Sequence, residues 1–141
     1  MADKDFPLLI KQIHDLMEKT ANEQLREKDL TFSQLRILSY INECDGNMAT
    51  LKDIEKHFLI AQPTVVGLIK RMESKGFLSV CTDDTDRRVK NAFLTKKGAA
   101  YCMEVSQRQK EMRQGLTRTL SLEEADELYR LLMEIYRNLV H

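Results

Sequence analysis

Apolar side chains recur along this chain with a helical period in six stretches, and twice between Phe77 and Thr95 as short β-branched or aromatic runs. Asp5 before Phe6 and Pro7 starts the first stretch, and Leu9, Ile13, Leu16, Met17 and Thr20 carry it to about Arg26. Leu8, Ile10, Ala21 and Leu25 lie off that stripe, so this helix is expected to meet a second partner. Thr31 with Gln34 is a capping-box signature opening Leu35, Ile37, Leu38, Tyr40 and Ile41, and Cys44-Asp45-Gly46-Asn47 ends that helix in a turn. Thr50 with Asp53 opens a short helix whose buried stripe is Leu51, Ile54 and Phe58. Val65, Leu68, Ile69 and Met72 then mark the buried face of a fourth helix, with Pro63 in its first turn and Gly76 at its stop. The runs Phe77–Thr82 and Val89–Thr95 flank the turn DDTDRR and predict a hairpin. Beyond it, Thr95 caps a long helix from Lys96 to Leu116 with sparse apolar positions (Ala99, Cys102, Val105, Met112, Leu116), the pattern of an arm packing on a partner. Ser121 with Glu123 and Glu124 opens the last helix, where Ala125, Leu128, Leu132, Ile135 and Leu139 step 3, 4, 3 and 4 residues, a seam for helix pairing.

The fourth helix and the hairpin carry the chemistry. Half a turn from its apolar stripe the helix presents Pro63, Val66, Gly67, Lys70, Arg71 and Ser74, a face without acids. Small groups at its N-terminal end and cations further along suit a recognition helix in a DNA major groove. On that reading Gln62, Pro63, Thr64, Val66 and Gly67 lie against bases, with Val66 meeting a thymine methyl, and Lys70 and Arg71 contact phosphates or guanine edges. The hairpin tip presents Arg87, Arg88 and Lys90 for a minor groove or the phosphate backbone, while Asp86 holds one arginine and leaves the other free. The alternative at this level is a solvated surface helix followed by a polar turn.

Net charge is zero, but its distribution is uneven. Residues 62–97 carry eight basic and four acidic side chains, inside a mildly acidic frame, a local footprint compatible with nucleic acid. Three widely spaced cysteines (Cys44, Cys81, Cys102) and three histidines (His14, His57, His141) match neither a disulfide framework nor a metal-ligand spacing, so no metal or cofactor is expected. No nucleophile elbow, phosphate-binding loop, dinucleotide fingerprint or catalytic carboxylate pair occurs, and the chain is not read as an enzyme. The absence of a signal peptide and of a bilayer-length apolar run leads us to expect a cytoplasmic protein with no membrane partner.

Several local patterns converge on one family. They are Leu30-Thr31-x-x-Gln34, Thr64-Val65 with Arg71-Met72-Glu73-x-x-Gly76-Phe77, the motif Asp83-x-x-Asp86-Arg87-Arg88, and Leu94-Thr95-x-x-Gly98. Taken together they resemble the MarR family of bacterial winged helix-turn-helix regulators, over essentially the whole chain. The resemblance implies a mainly α fold with a small β-wing: a winged helix-turn-helix lobe over residues 30–98, and helices at 1–29 and 99–141 forming a dimerisation region. It implies a homodimer binding double-stranded DNA at a pseudo-palindromic operator, as a repressor by default. A small aromatic or amphipathic effector is a further implied partner, with Ile13, Met17, Arg36 and Leu38 as candidate contacts. Three positions depart from the family pattern: Leu59 replaces the usual glycine of the turn, Glu55 a small alanine, and Ala61 the Ser or Thr cap of the recognition helix. Two other readings remain beside this one, a winged-helix module for protein partners without DNA binding and a thiol-based redox sensor using Cys81 or Cys102.

Overall fold

The computed structural model describes residues 3–28 and 30–140. Its elements follow in the order α1 (Phe6–Leu25), α2 (Phe32–Glu43), β1 (Met48–Thr50), α3 (Leu51–Phe58), α4 (Gln62–Ser74), β2 (Leu78–Thr82), β3 (Lys90–Leu94), α5 (Lys96–Leu116) and α6 (Leu122–Leu139). Most starts are set by local side-chain caps. Asp5 accepts from the Leu8 N–H, Thr50 from Asp53, and full reciprocal capping boxes form at Thr31/Gln34 and Ser121/Glu124. Gln34 is itself buried, so its side-chain hydrogen bond to the Thr31 N–H also satisfies a polar group inside the protein.

The three strands form one antiparallel sheet in the order β1-β3-β2. The hairpin β2–β3 was expected; β1 was not. Its three residues show no alternation that marks a strand, and it exists because Ala49 pairs with Ala92 and Met48 with Phe93 across the sheet. Both alanines are buried, which lets α2 pack closely over this side of β3.

The chain divides into two compact units, one reaching to Met103 and one beginning at Glu104, with α5 running through the boundary. The first unit holds a core of Ile37, Leu38 and Ile41 from α2, Ile54 from α3, Val65, Ile69 and Met72 from α4, and Leu78 and Ala92 from the sheet. Each of the larger side chains contributes roughly 1.5–3 kcal/mol by leaving water. The helix-turn-helix is therefore not a surface appendage, because α3 and α4 supply four of these core residues. At the start of this unit α1 buries only Ala21 and Leu25. The stripe expected to pack, Leu9, Ile13 and Leu16, is 45–63% exposed, and so are the flanking Phe6, Leu8 and Ile10. In place of an apolar seam, Asn22 Oδ1 ties α1 to α2 by accepting from the Phe32 N–H at 2.7 Å.

In the second unit α6 has a polar face on which Arg130 bridges Glu127 and Glu134, both at 2.6 Å. Its apolar seam of Leu128, Leu132, Ile135 and Leu139 is open to solvent, as are Leu131 and Tyr136. No helix among the described residues is long and apolar enough to cross a membrane.

Candidate nucleic-acid interface

The recognition helix α4 is fixed at both ends by backbone geometry. At its entry, α3 stops in a left-handed turn at Leu59 (φ 53°, ψ 47°), and the N–H of Ile60 reaches back to the Glu55 carbonyl at 3.1 Å. That is the position a glycine commonly fills at a helix C-terminus, and leucine occupies it at a steric cost. Ala61 supplies no side-chain cap; its carbonyl accepts the first helical bonds from Thr64 and Val65. Pro63 loses nothing in the first turn, where its missing N–H would have had no helical partner.

At its exit, Gly76 is left-handed (φ 84°), which brings the Phe77 N–H back to the Met72 carbonyl at 3.0 Å and buries the Phe77 ring. The start of α5 closes onto this corner. Thr95 donates its hydroxyl to the Gly76 carbonyl at 2.6 Å and its N–H to the Phe77 carbonyl at 3.2 Å, while its hydroxyl oxygen accepts from the Gly98 N–H at 3.0 Å. Gly98 must be glycine, because a Cβ there would lie 2.3 Å from the Phe77 carbonyl oxygen. Lys97 adds a 2.6 Å bond to the Lys75 carbonyl and lies over the Phe77 ring. Glu73, at the edge of the outer face of α4, accepts from the Val80 N–H of β2 at 3.2 Å. Recognition helix and wing are thus held together by polar bonds at their shared root. Neither the Glu73 bond nor the Lys97 bond was anticipated, since each joins residues whose proximity only the fold creates.

The wing tip is organised by Asp83. One carboxylate oxygen accepts from the Thr85 hydroxyl (2.6 Å), the Thr85 N–H (3.1 Å) and the Asp86 N–H (3.0 Å), and the other from the Asn91 amide (3.0 Å). These bonds, led by those from the Thr85 and Asn91 side chains, hold the carboxyl down at about 2. Asp86 in turn accepts from the backbone and the guanidinium of Arg88 at 3.0–3.2 Å, and the hydrogen bonds from Arg88 lower its pKa. Arg87, exposed next to it, makes no hydrogen bond or ion pair among the described residues. One arginine is oriented, the other free.

Between α4 and the wing lies a hollow of about 330 Å³ lined by Thr50, Leu51, Lys52 and Glu55 of β1 and α3, Gln62, Val65 and Val66 of α4, and Arg88, Val89 and Lys90 at the wing. It brings Gln62 and Val66 together with Arg88 and Lys90. Pro63 and Thr64 are exposed beside it, and Lys70 and Arg71 are exposed further along the helix. Gly67 is half-buried, with nothing within 4 Å of where its Cβ would stand, so no packing inside the protein calls for glycine there. Sequence reasoning did not include Lys52 in this group; its signal was its place in the first turn of the helix preceding the recognition helix.

The candidate effector residues are scattered in character. Ile13 is exposed and Met17 half-buried on α1, and Arg36 is exposed on α2 with its guanidinium over Phe32 (5.6 Å) and Phe58 (5.8 Å). Leu38 is wholly enclosed in the core by the close packing of α2. Of the cysteines, Cys81 is exposed on β2, Cys44 is half-buried, and Cys102 is buried, which pushes its thiol up, away from the reactive thiolate form.

Comparison with known proteins places this arrangement. The MarR family model matches residues 28–89, from the approach to α2 through the wing tip. The multiple antibiotic resistance protein MarR of Salmonella typhimurium is 27% identical over 128 residues, 90% of this chain and 88% of that one. The transcriptional activatory protein BadR of Rhodopseudomonas palustris is 27% identical over 88 residues, 62% of this chain but only half of BadR. Among solved structures, the S. aureus MepR–DNA complex superimposes with a TM-score of 0.91 at 28% identity, covering 97% of this chain and all of that one. A cysteine-to-serine mutant of E. coli MarR complexed with operator DNA gives 0.81 at 27% identity, with 92% and 94% covered. Among the described residues the chain has six α-helices, a three-stranded winged sheet and a helix-turn-helix locked to its wing, the fold it shares with MepR and MarR, and its residues 28–89 match the MarR family model.

Proposed function

We propose that this protein is a transcriptional regulator that binds double-stranded DNA sequence-specifically as a homodimer on a pseudo-palindromic operator. The observation that carries the reading is the rigid pairing of an exposed recognition face on α4 with an arginine-bearing wing tip across one hollow. Such a frame sets Gln62, Pro63, Thr64, Val66 and Gly67 against base edges in the major groove while Arg87, Arg88 and Lys90 engage the backbone or minor groove. Lys70 and Arg71 then neutralise phosphates along the helix. MepR and MarR, which share the fold, have been solved on DNA, which supports the same placement here.

Dimerisation is supported by the apolar surfaces that a lone chain leaves in water. The α1 stripe and the α6 seam each expose several large aliphatic side chains, more than a monomer tolerates without a partner. A two-fold dimer built on α1, α5 and α6 buries them and presents two copies of the lobe spanning residues 30–98 to two half-sites. Occupancy of the operator excludes polymerase, so repression is the default outcome. An effector bound beside Arg36 releases DNA by favouring dimers whose recognition helices no longer match the half-site spacing.

The test combines sedimentation with selection of bound sequences from a random duplex pool. A dimer that enriches an inverted repeat, with affinity falling steeply as salt rises, is expected. Arg87→Ala is expected to weaken binding and to reduce the salt slope by about one per protomer. A monomer with no enriched sequence would refute the reading.

A further inference from the structure

The hollow between α4 and the wing holds one acid among its cations. Glu55, half-buried on α3, shares the lining with Lys52, Arg88 and Lys90 and with Gln62 and Val66 of α4. Among the described residues its carboxylate makes no hydrogen bond or ion pair. Arg88, one of the cations lining the hollow, is already committed to Asp86 through both Nε and a terminal nitrogen. Glu55 therefore stands unpartnered where DNA would enter.

A carboxylate only accepts hydrogen bonds, and so does a phosphate. Two acceptors brought together in a partly desolvated hollow repel, so Glu55 opposes the sequence-independent contact that its cationic neighbours favour. The donors that DNA offers in the major groove are the exocyclic amines, N4 of cytosine and N6 of adenine.

We propose that Glu55 is a specificity-determining residue of the DNA interface, accepting from a cytosine or adenine amine at the base pair facing the hollow and repelling phosphate when DNA is bound out of register. This rests on the DNA-binding reading above. Its effect is two-sided: it tightens the correct site and loosens all others, so removing the charge narrows the ratio between them from both ends.

The experiment uses the full-length protein, its Glu55→Ala and Glu55→Gln variants, and the random-pool selection, with affinity for a scrambled duplex measured in parallel. Melting profiles matching wild type establish that the variants are folded, as a half-exposed position predicts. The wild-type protein is expected to enrich cytosine or adenine at one position in each half-site. Glu55→Ala should lose that preference by about tenfold, the scale of one base contact, and bind scrambled DNA several-fold more tightly. Glu55→Gln, which both donates and accepts, should retain only an adenine preference there. Unchanged base preferences in both variants overturn the inference, even if non-specific binding tightens, while leaving the DNA-binding reading intact. A wild-type protein that selects no sequence at all overturns both.

Discussion

Leu59 offers a test in which the sign of an effect, not only its size, is at stake. It occupies the left-handed region at the joint of α3 and α4 and is 64% exposed. For an L-residue that conformation costs roughly 1–2 kcal/mol through contact of Cβ with the following carbonyl. Glycine avoids the clash but loses more freedom on folding, a penalty of roughly 0.5–1 kcal/mol. Replacing Leu59 directly by glycine would mix this gain with the loss of the covered third of the side chain, so the informative comparison is between Leu59→Gly and Leu59→Ala. Both lack the leucine side chain beyond Cβ and differ only in the backbone term. Inside a helix alanine is the more stable of such a pair by about 1 kcal/mol. Here the order should invert, with Leu59→Gly more stable than Leu59→Ala by about 0.5–1 kcal/mol. In urea unfolding, with m of about 1–3 kcal/mol/M, the midpoints should differ by roughly 0.2–1 M at equal slopes. Protein concentration must be the same for both, because any association of chains would be linked to folding. If alanine equals or exceeds glycine, the joint is not held left-handed and the account of how α4 is aimed is wrong.

Further expectations concern the site itself. Gly67→Ala should raise stability by roughly 0.5–1 kcal/mol, since open space surrounds the added methyl, and should weaken operator binding; unchanged affinity would show that no DNA group approaches there. Ala61→Ser, which adds the missing cap of α4, should stabilise by about 1 kcal/mol in a thermal melt without altering the slope of denaturant unfolding. Asp83 has a folded-state pKa of about 2 against an ordinary 3.8, so its bonds contribute fully above about pH 4 and are lost as pH falls through about 2. Amide resonances of Thr85 and Asn91 should titrate with that low midpoint in the wild-type protein and fail to do so in Asp83→Asn.

What could be read from the chain and what could not divides by range. Thr31 with Gln34 and Ser121 with Glu124 are legible because a capping box closes within four residues, and the stripe Val65, Ile69, Met72 because one helix face needs one core. The strand β1 was hidden because its only cause is pairing with β3, more than forty residues on. The outer face of α4 and the arginines of the wing were visible as chemistry, but the hollow joining them was not, since Lys52 and Glu55 come to it from a different helix. Leu59 concealed its own turn, because leucine is a residue that local preference places almost anywhere but in a left-handed conformation. On α1 the periodicity marked an apolar face, expected from the sequence to meet a second partner, and the fold leaves that face exposed; a period alone carries no information on whether the contact is within one chain.

The self-sufficiency of the wing tip has a further consequence. Between Asp83 and Val89 the hydrogen bonds close on one another and on Asn91, while the attachment of the wing to the rest of the lobe runs through Thr95, Gly76 and Gly98. The tip is therefore separable from its anchorage, and a loop of the same length from another winged protein can be grafted between Asp83 and Val89 without disturbing the helix that it accompanies. New binding preferences can arise in such a lineage by exchange of this short cassette, with the inherited scaffold carried through unchanged.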